Sequence, residues 1–495
     1  MEAYITSIDE ILTDDSVIDL LYDKLHVVAV KDDFSEDLRD NLCTLRPELK
    51  VIVETEYVDR VYRNSFYRFF STKLKPYYRN CIRLSFFEPE FDSIDAFMAA
   101  KTSDLRSWYN GFLVIRPLPF AYIGYNAIAK RAKLNKGYKY EICQTPIIAT
   151  CMGEKLSVRA FPHSSQDGEY LSCAETAIWT MLEYFGNKYP IYRPALPTEV
   201  VDSLDSSAFE RTTPTAGLTF QQLSLALKKN GLSTKVYYEN NYTLDPGKFQ
   251  EIFNCYVESG FPLAVCLTSN KGGGHAVVCV GRNEITPATL PTIKPIFAGQ
   301  NNYVFWNRHN NNIILIDDNY PCYQSAPFNL PTEYYSDPNF QGMHISHFIV
   351  PLYSKIYLPA EIAIDASNYL VANLVNAPNG SCVKTFLTSS RSYRKYILRN
   401  PDFTSVQKQA YLQIEMPKFV WVTEISTFDQ LSRNKINSVI LLDATGNKSS
   451  YVDLSQLIFM QIAGNGHIFN QSKCVFEKFS LPLQLEFMAF KGNLE

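Results

Sequence analysis

Residues 166–186 read QDGEYLSCAETAIWTMLEYFG, and their apolar spacing commits them to one structure. Ala174, Ala177, Ile178, Met181, Leu182 and Phe185 recur at i, i+3 and i+4, the buried face of a helix. Ser172 stands three residues before Glu175, the capping-box pattern of a helix start, and Gly186 supplies a stop. Cys173 then becomes the first helical residue. A thiol at that address faces the positive end of the helix dipole, which favours the thiolate, the nucleophilic form. The chain has 11 cysteines, and the other ten read as small buried hydrophobes. Cys266 and Cys279, for example, lie inside apolar strand runs.

Two further features follow in the order that nucleophilic catalysis needs. Phe261 to Leu267 reads as a strand, Ser269 to Gly274 as a turn, and His275 to Gly281 as the returning strand. Among seven histidines, His275 is distinguished by opening a strand directly after three glycines, which permit close approach of a substrate or another backbone. No Gly-Lys-Ser/Thr follows, so the glycines are not a phosphate loop. Farther on, the apolar run Ile313 to Ile316 ends in Asp317 and Asp318. One carboxylate there can accept the second ring N–H of His275 and fix its tautomer. Successive strand residues face opposite sides, so only one of the two can point that way.

Taken together, residues 155–355 resemble a papain-clan cysteine peptidase, specifically the bacterial bacteriocin-processing (double-glycine) peptidase-like family. The matching positions are Gln166, Cys173, Gly217 to Leu227, Gly272 to Val280, and Ile313 to Asp318. The resemblance implies an α+β fold in which a cysteine-bearing helix packs on an antiparallel sheet. It implies that Cys173 is the nucleophile and His275 the general base and acid. It implies that Asp318, rather than Asp317, orients His275, because the family places one residue between the apolar run and its Asp. It implies that Gln166 is the side-chain donor of an oxyanion hole, with the Cys173 backbone N–H as its partner. Two departures stand beside this: Ala174 follows the cysteine where the family has Gly, and Gln166 precedes it by seven residues rather than six.

The 495 residues are 46% hydrophobic and 20% charged, enough for a sizeable core and about three domains. We expect an N-terminal α+β domain at 1–150, the peptidase-like domain at 151–355, and a C-terminal α+β domain at 356–495. In the first, Val58, Val61, Tyr62, Phe66, Phe69 and Phe70 recur at helical spacing among Arg60, Arg63, Arg68, Lys73 and Lys75, which reads as an amphipathic helix with a solvated basic face. Arg83 to Phe87 and Gly111 to Arg116 read as strands. The stretch Arg282 to Asn312 is long for a strand connection and reads as a lid or substrate-facing insertion.

A formal net charge of −4 argues against a dedicated nucleic-acid binder. The most apolar stretch, Phe112 to Ala129, is broken by Arg116, Pro117 and Pro119, so no membrane span is expected. The acidic start MEAYITSIDEILTDDS has no secretory pattern, and the odd, scattered cysteines without a CxxC suit a reducing cytoplasm. No cofactor or metal is expected. A His344/His347 pair with Asp337 is a minor metal-binding alternative. The leading expectation is a cytoplasmic thiol peptidase acting on a protein or peptide substrate, with flanking domains for regulatory or oligomeric contacts. An acyl or amide transferase on the same triad stays open, as does a non-enzymatic interaction protein on a peptidase fold.

Overall fold

The computed structural model describes residues 2–27, 30–134, 139–205, 217–269, 272–284, 296–298, 301–309, 312–375, 377–446, 454–462, 464–470, 472–479 and 481–494. It is a mixed α+β protein, and among the described residues its sheets are antiparallel apart from one parallel pairing. Among the described residues no helix is long and apolar enough to cross a membrane.

The N-terminal segment forms a five-stranded antiparallel sheet in sequential order: Ala3–Ser7, Lys50–Tyr57, Cys81–Phe87, Tyr109–Ile115 and Ile123–Ile128. The third and fourth strands are those expected around Arg83 and Gly111. At Gly111 the backbone takes φ +119°, and a Cβ would lie 2.0 Å from the Ala127 carbonyl oxygen, so the strand tolerates only glycine there. The amphipathic helix forms at Arg60–Arg68 and buries Val61 and Tyr62. Its basic face is only partly solvated: Arg60 pairs with Glu183 at 2.6 Å and Arg68 with Asp202 at 3.0 Å.

A seven-stranded central sheet follows. Its order is Gln324–Pro327, Asn312–Ile316, Gly274–Asn283, Leu263–Thr268, His344–Leu352 and Ser233–Tyr238, with Tyr140–Ile142 paired to the end of the Gly274–Asn283 strand. Alternation divides the strands cleanly. Ala264, Ala276, Val278, Ile314 and Ile316 belong to the core that also holds the buried face of the helix Cys173–Lys188. Val265, Val277, Cys279, Ile313 and Leu315 belong to the opposite core, shared with the helix Pro246–Glu258. Trp179, on the cysteine helix, donates from Nε1 to the Ala195 carbonyl at 3.1 Å and meets Tyr125 edge-on at 5.2 Å. Truncating such a buried indole to alanine costs about 3–5 kcal/mol.

Three expectations are corrected. The cysteine helix does not stop at Gly186 but runs to Lys188. Gly186 is instead where the backbone of Arg193 and Pro194 crosses the helix, with Pro194 N only 2.1 Å from where a Cβ would stand. The boundary between residues 150 and 151 cuts a hairpin, because Thr145–Cys151 pairs with Glu154–Ala160. The cores agree: residues of the N-terminal sheet, this hairpin and the cysteine helix share one cluster. Finally, the described part of the 282–312 connection is not a lid. Residues 296–298 and 301–305 are the first two strands of the eight-stranded C-terminal sheet, and Val304 and Phe305 pair in parallel with Cys382 and Val383. Asn307 locks the join, donating to the Thr385 carbonyl at 3.0 Å and accepting from Thr385 N at 2.9 Å. Residues 285–295, within the same connection, lie outside the described residues, as do 270–271 in the turn before His275.

Candidate active site

Cys173 opens its helix as the local pattern requires, with Ser172 as the N-cap residue. Glu175 turns back to the cap: its Oε2 accepts from Ser172 N at 3.1 Å and from the Ser172 hydroxyl. The loop before the helix is built with equal care. Asp167 Oδ1 accepts from the backbone N–H groups of Glu169, Tyr170 and Leu171 at 3.0, 2.6 and 2.8 Å. Buried Arg116 donates from Nη2 to the carbonyls of Ser165 and Gln166 at 3.1 and 3.3 Å. A residue of the N-terminal segment therefore holds the approach to the cysteine.

His275 is the second residue of the Gly274–Asn283 strand. Gly272 and Gly273 precede it at φ +86° and +101°, conformations only glycine adopts freely. Its ring is buried and interacts with the Cys173 thiol. His275 Nε2 lies 2.9 Å from Asp317 Oδ1 and 3.1 Å from Tyr335 Oη. Nδ1 is thus the nitrogen left for the thiol.

The carboxylate hydrogen-bonded to His275 is that of Asp317, not the expected Asp318. Asp318 Oδ1 stands 3.7 Å from His275 Nε2, beyond hydrogen-bond range, and neither of its buried oxygens has a partner on another residue. Strand register explains the correction. Cys279 pairs with Leu315 and Val278 with Ile316, so residue 317 shares a face with Leu315, Cys279, Val277 and His275. Family spacing pointed one residue too far.

Asp317 is fully occupied. Oδ1 accepts from His275 and from Asn319 N at 3.0 Å, and Oδ2 accepts from the hydroxyls of Tyr334 and Tyr335, each at 2.7 Å. Gln166 joins this network indirectly. Its Nε2 donates to Asn319 Oδ1 at 2.8 Å, and Asn319 Nδ2 donates to Tyr335 Oη at 3.2 Å. The four expected site residues do converge on one region, with Gln166 tied to Asn319 in this state. Tyr334, Tyr335 and Asn319 were not singled out by sequence. Phe340, which meets the His275 ring edge-on at 5.5 Å and stacks on Tyr335 at 4.7 Å, was not either.

The charges follow from these contacts. Burial disfavours the His275 imidazolium, but Asp317, by charge and hydrogen bond, outweighs it with help from Cys173 and Asp318. The imidazole is held well above its ordinary range. Burial likewise pushes the Asp317 carboxyl up, and His275, Asn319 and Tyr334 bring it below its usual value. Asp318 has no such donors. Burial first, then repulsion from Asp317, raises it to about 7 despite the nearby imidazolium.

Donor atoms of His275, Asp317 and Asp318 lie within 4.8 Å of one another, a spacing that a metal ion could span. Yet every strong acceptor position of Asp317 is already paired, and a cation would have to displace its bond to His275. Among the described residues, His344, His347 and Asp337 do not bring three donor atoms together. His347 packs instead against Phe220 and Tyr238, with ring centroids 4.6 and 5.7 Å away.

No protein-family model matches the chain, and no curated protein matches it.

Proposed function

We propose that this chain is a thiol hydrolase of peptide or isopeptide bonds, resembling papain-clan peptidases, with Cys173 as nucleophile, His275 as base and acid, and Asp317 as the orienting carboxylate. The observation that carries the reading is the convergence of a helix-tip thiol, a buried imidazole and a buried carboxylate from three separate segments. A structural histidine has no need of an acid that itself collects three further donors.

In this reading the Cys173 sulfur attacks the substrate carbonyl carbon, and its proton resides on His275. The tetrahedral oxyanion forms beside the start of the cysteine helix, where the first N–H groups have no intrahelical acceptor. His275 then gives its proton to the leaving nitrogen, and the C–N bond breaks to leave a thioester. Water, deprotonated by His275, attacks the thioester and releases the acid and the free thiol. Asp317 stays ionised throughout and stabilises the imidazolium. Gln166 serves the oxyanion only if its amide is released from Asn319 when substrate binds. We place the reaction in a reducing cytoplasm, where thiols such as the exposed Cys43 and Cys474 stay reduced.

The test is a peptide-library digest followed by mass spectrometry, run with wild type and Cys173→Ala. Cleaved products that vanish in the variant support hydrolysis. Amine-linked products in place of acids would move the assignment to acyl transfer. Absence of both, with an unreactive Cys173, would leave an interaction protein.

A further inference from the structure

His163 is a buried histidine that the chemistry above does not use, and its surroundings assign it a task. Its backbone pairs with that of Asn126 in both directions, at 2.8 and 3.0 Å, as an isolated bridge between the N-terminal sheet and the segment leading to the cysteine. Asn126 Nδ2 lies 2.8 Å from His163 Nδ1, and His163 Nε2 lies 2.9 Å from the carbonyl oxygen of Asp317. Both residues are 1% exposed, so no solvent competes for these bonds. An amide N–H can only donate and a carbonyl can only accept. The imidazole must therefore accept at Nδ1 and donate at Nε2, a single neutral tautomer. Burial agrees, holding His163 down at about 4, with Lys133 nearby acting in the same direction and the Asp317 carbonyl opposing it.

We propose that His163, with its tautomer fixed by Asn126, is a positioning residue that anchors the Asp317 peptide and through it the imidazole of His275. Asp317 lies just past the end of its strand, where the ladder no longer restrains it. Its carbonyl takes the His163 N–H, with Tyr320 N as a more distant donor at 3.3 Å. Fixing that peptide plane fixes the direction in which the carboxylate leaves the chain. The N-terminal sheet thereby becomes part of the catalytic scaffold rather than an appended module. The inference rests on the reading of Cys173, His275 and Asp317 as the reactive centre.

The experiment is a histidine-selective NMR titration of the full chain, with the Cys173 alkylation rate measured on the same samples. The variants are His163→Leu, which removes the donor, and His163→Gln, whose amide can replace Nε2–H. Leu156→Ala, in the same core but away from the site, controls for lost stability. The groups that set the His275 midpoint are Asp317, Asp318, Tyr335 and Cys173, none of which these variants alter. We expect His163→Leu to lower the His275 midpoint by ~1 pH unit and to slow alkylation by ~10-fold, the scale of a loosened charge partner. His163→Gln should recover most of both, and Leu156→Ala should move neither. An unchanged His275 midpoint in His163→Leu, or an equal shift in Leu156→Ala, overturns the proposal. Should His163→Leu fail to fold, His163→Phe, which removes the donor but keeps a planar ring, decides in its place by the same shift or its absence. The midpoint needs no turnover, so it judges His163 even if Cys173 proves no more reactive than Cys43 and the proposed function falls.

Discussion

The carboxylate of Asp317 lies 2.9 Å from His275 Nε2 and is held there by two tyrosine hydroxyls and a backbone N–H. A histidine so paired is held in one orientation, with Nδ1 turned away from the carboxylate.

The two adjacent acids should therefore behave very differently. Asp317→Ala should lower kcat/KM by about 10²–10⁴-fold, the scale seen when a histidine loses its orienting acid. Asp318→Ala should cost far less. Steady-state kinetics on two folded variants check the ranking, and a larger loss in Asp318→Ala would return the role to Asp318.

Asp318 also makes a prediction about pH. Its folded-state value, raised to about 7, exceeds the ordinary 3.8, so the unfolded chain gives up this proton first as pH rises. The residue costs nothing well below pH 3.8, and the cost grows as pH rises toward 7 and is complete above it. Asp318→Asn should raise Tm at pH 8 by at least ~2 °C and have a smaller effect near pH 5. Differential scanning calorimetry at the two pH values reads this directly. A Tm gain that is larger at pH 5 would mean that Asp318 is not held as described.

Tyr335 donates to Asp317 and sits 3.1 Å from His275 Nε2. Tyr335→Phe should lower kcat/KM by about tenfold, since a hydrogen bond to a charged group contributes roughly 1.5–3 kcal/mol and Tyr334 retains part of it. The ring stack on Phe340 survives the change, so Tm should move little. A large Tm loss with unchanged kinetics would make Tyr335 purely structural.

Arg116 tests whether the N-terminal sheet supports the loop before the cysteine. It is 6% exposed and gives hydrogen bonds to the carbonyls of Ala121, Ile123, Ser165 and Gln166. Arg116→Met should destabilise the fold by at least ~2 kcal/mol, because buried carbonyls lose their donor. Chemical denaturation measures this, and a neutral result would show that the loop holds itself.

Local signals in the sequence were legible where the physics is local. The Ser172 and Glu175 spacing and the apolar stripe after it located the cysteine helix, and the glycines before His275 located its strand end. The choice between Asp317 and Asp318 was not legible, because it depends on the pairing of Cys279 with Leu315 across the sheet. Tyr334 and Tyr335 lie outside any strand or helix and carry no periodicity, so only the folded chain brings them to Asp317. His163 reads as one histidine among seven until Asn126, 37 residues earlier, is seen beside it. The hairpin across residue 151 was hidden for a similar reason. A boundary drawn after residue 150 cuts the Thr145–Cys151 strand one residue before its end, just ahead of the turn that joins it to Glu154–Ala160.

The most direct measurement is competitive alkylation of the native chain with iodoacetamide, read cysteine by cysteine by mass spectrometry. Cys43 and Cys474 are exposed and serve as internal standards. The account predicts that Cys173, though only partly exposed, is labelled fastest, and that His275→Ala removes its advantage while leaving Cys43 and Cys474 unchanged. Labelling of Cys173 at or below the rate of those two, unaffected by His275→Ala, would contradict it.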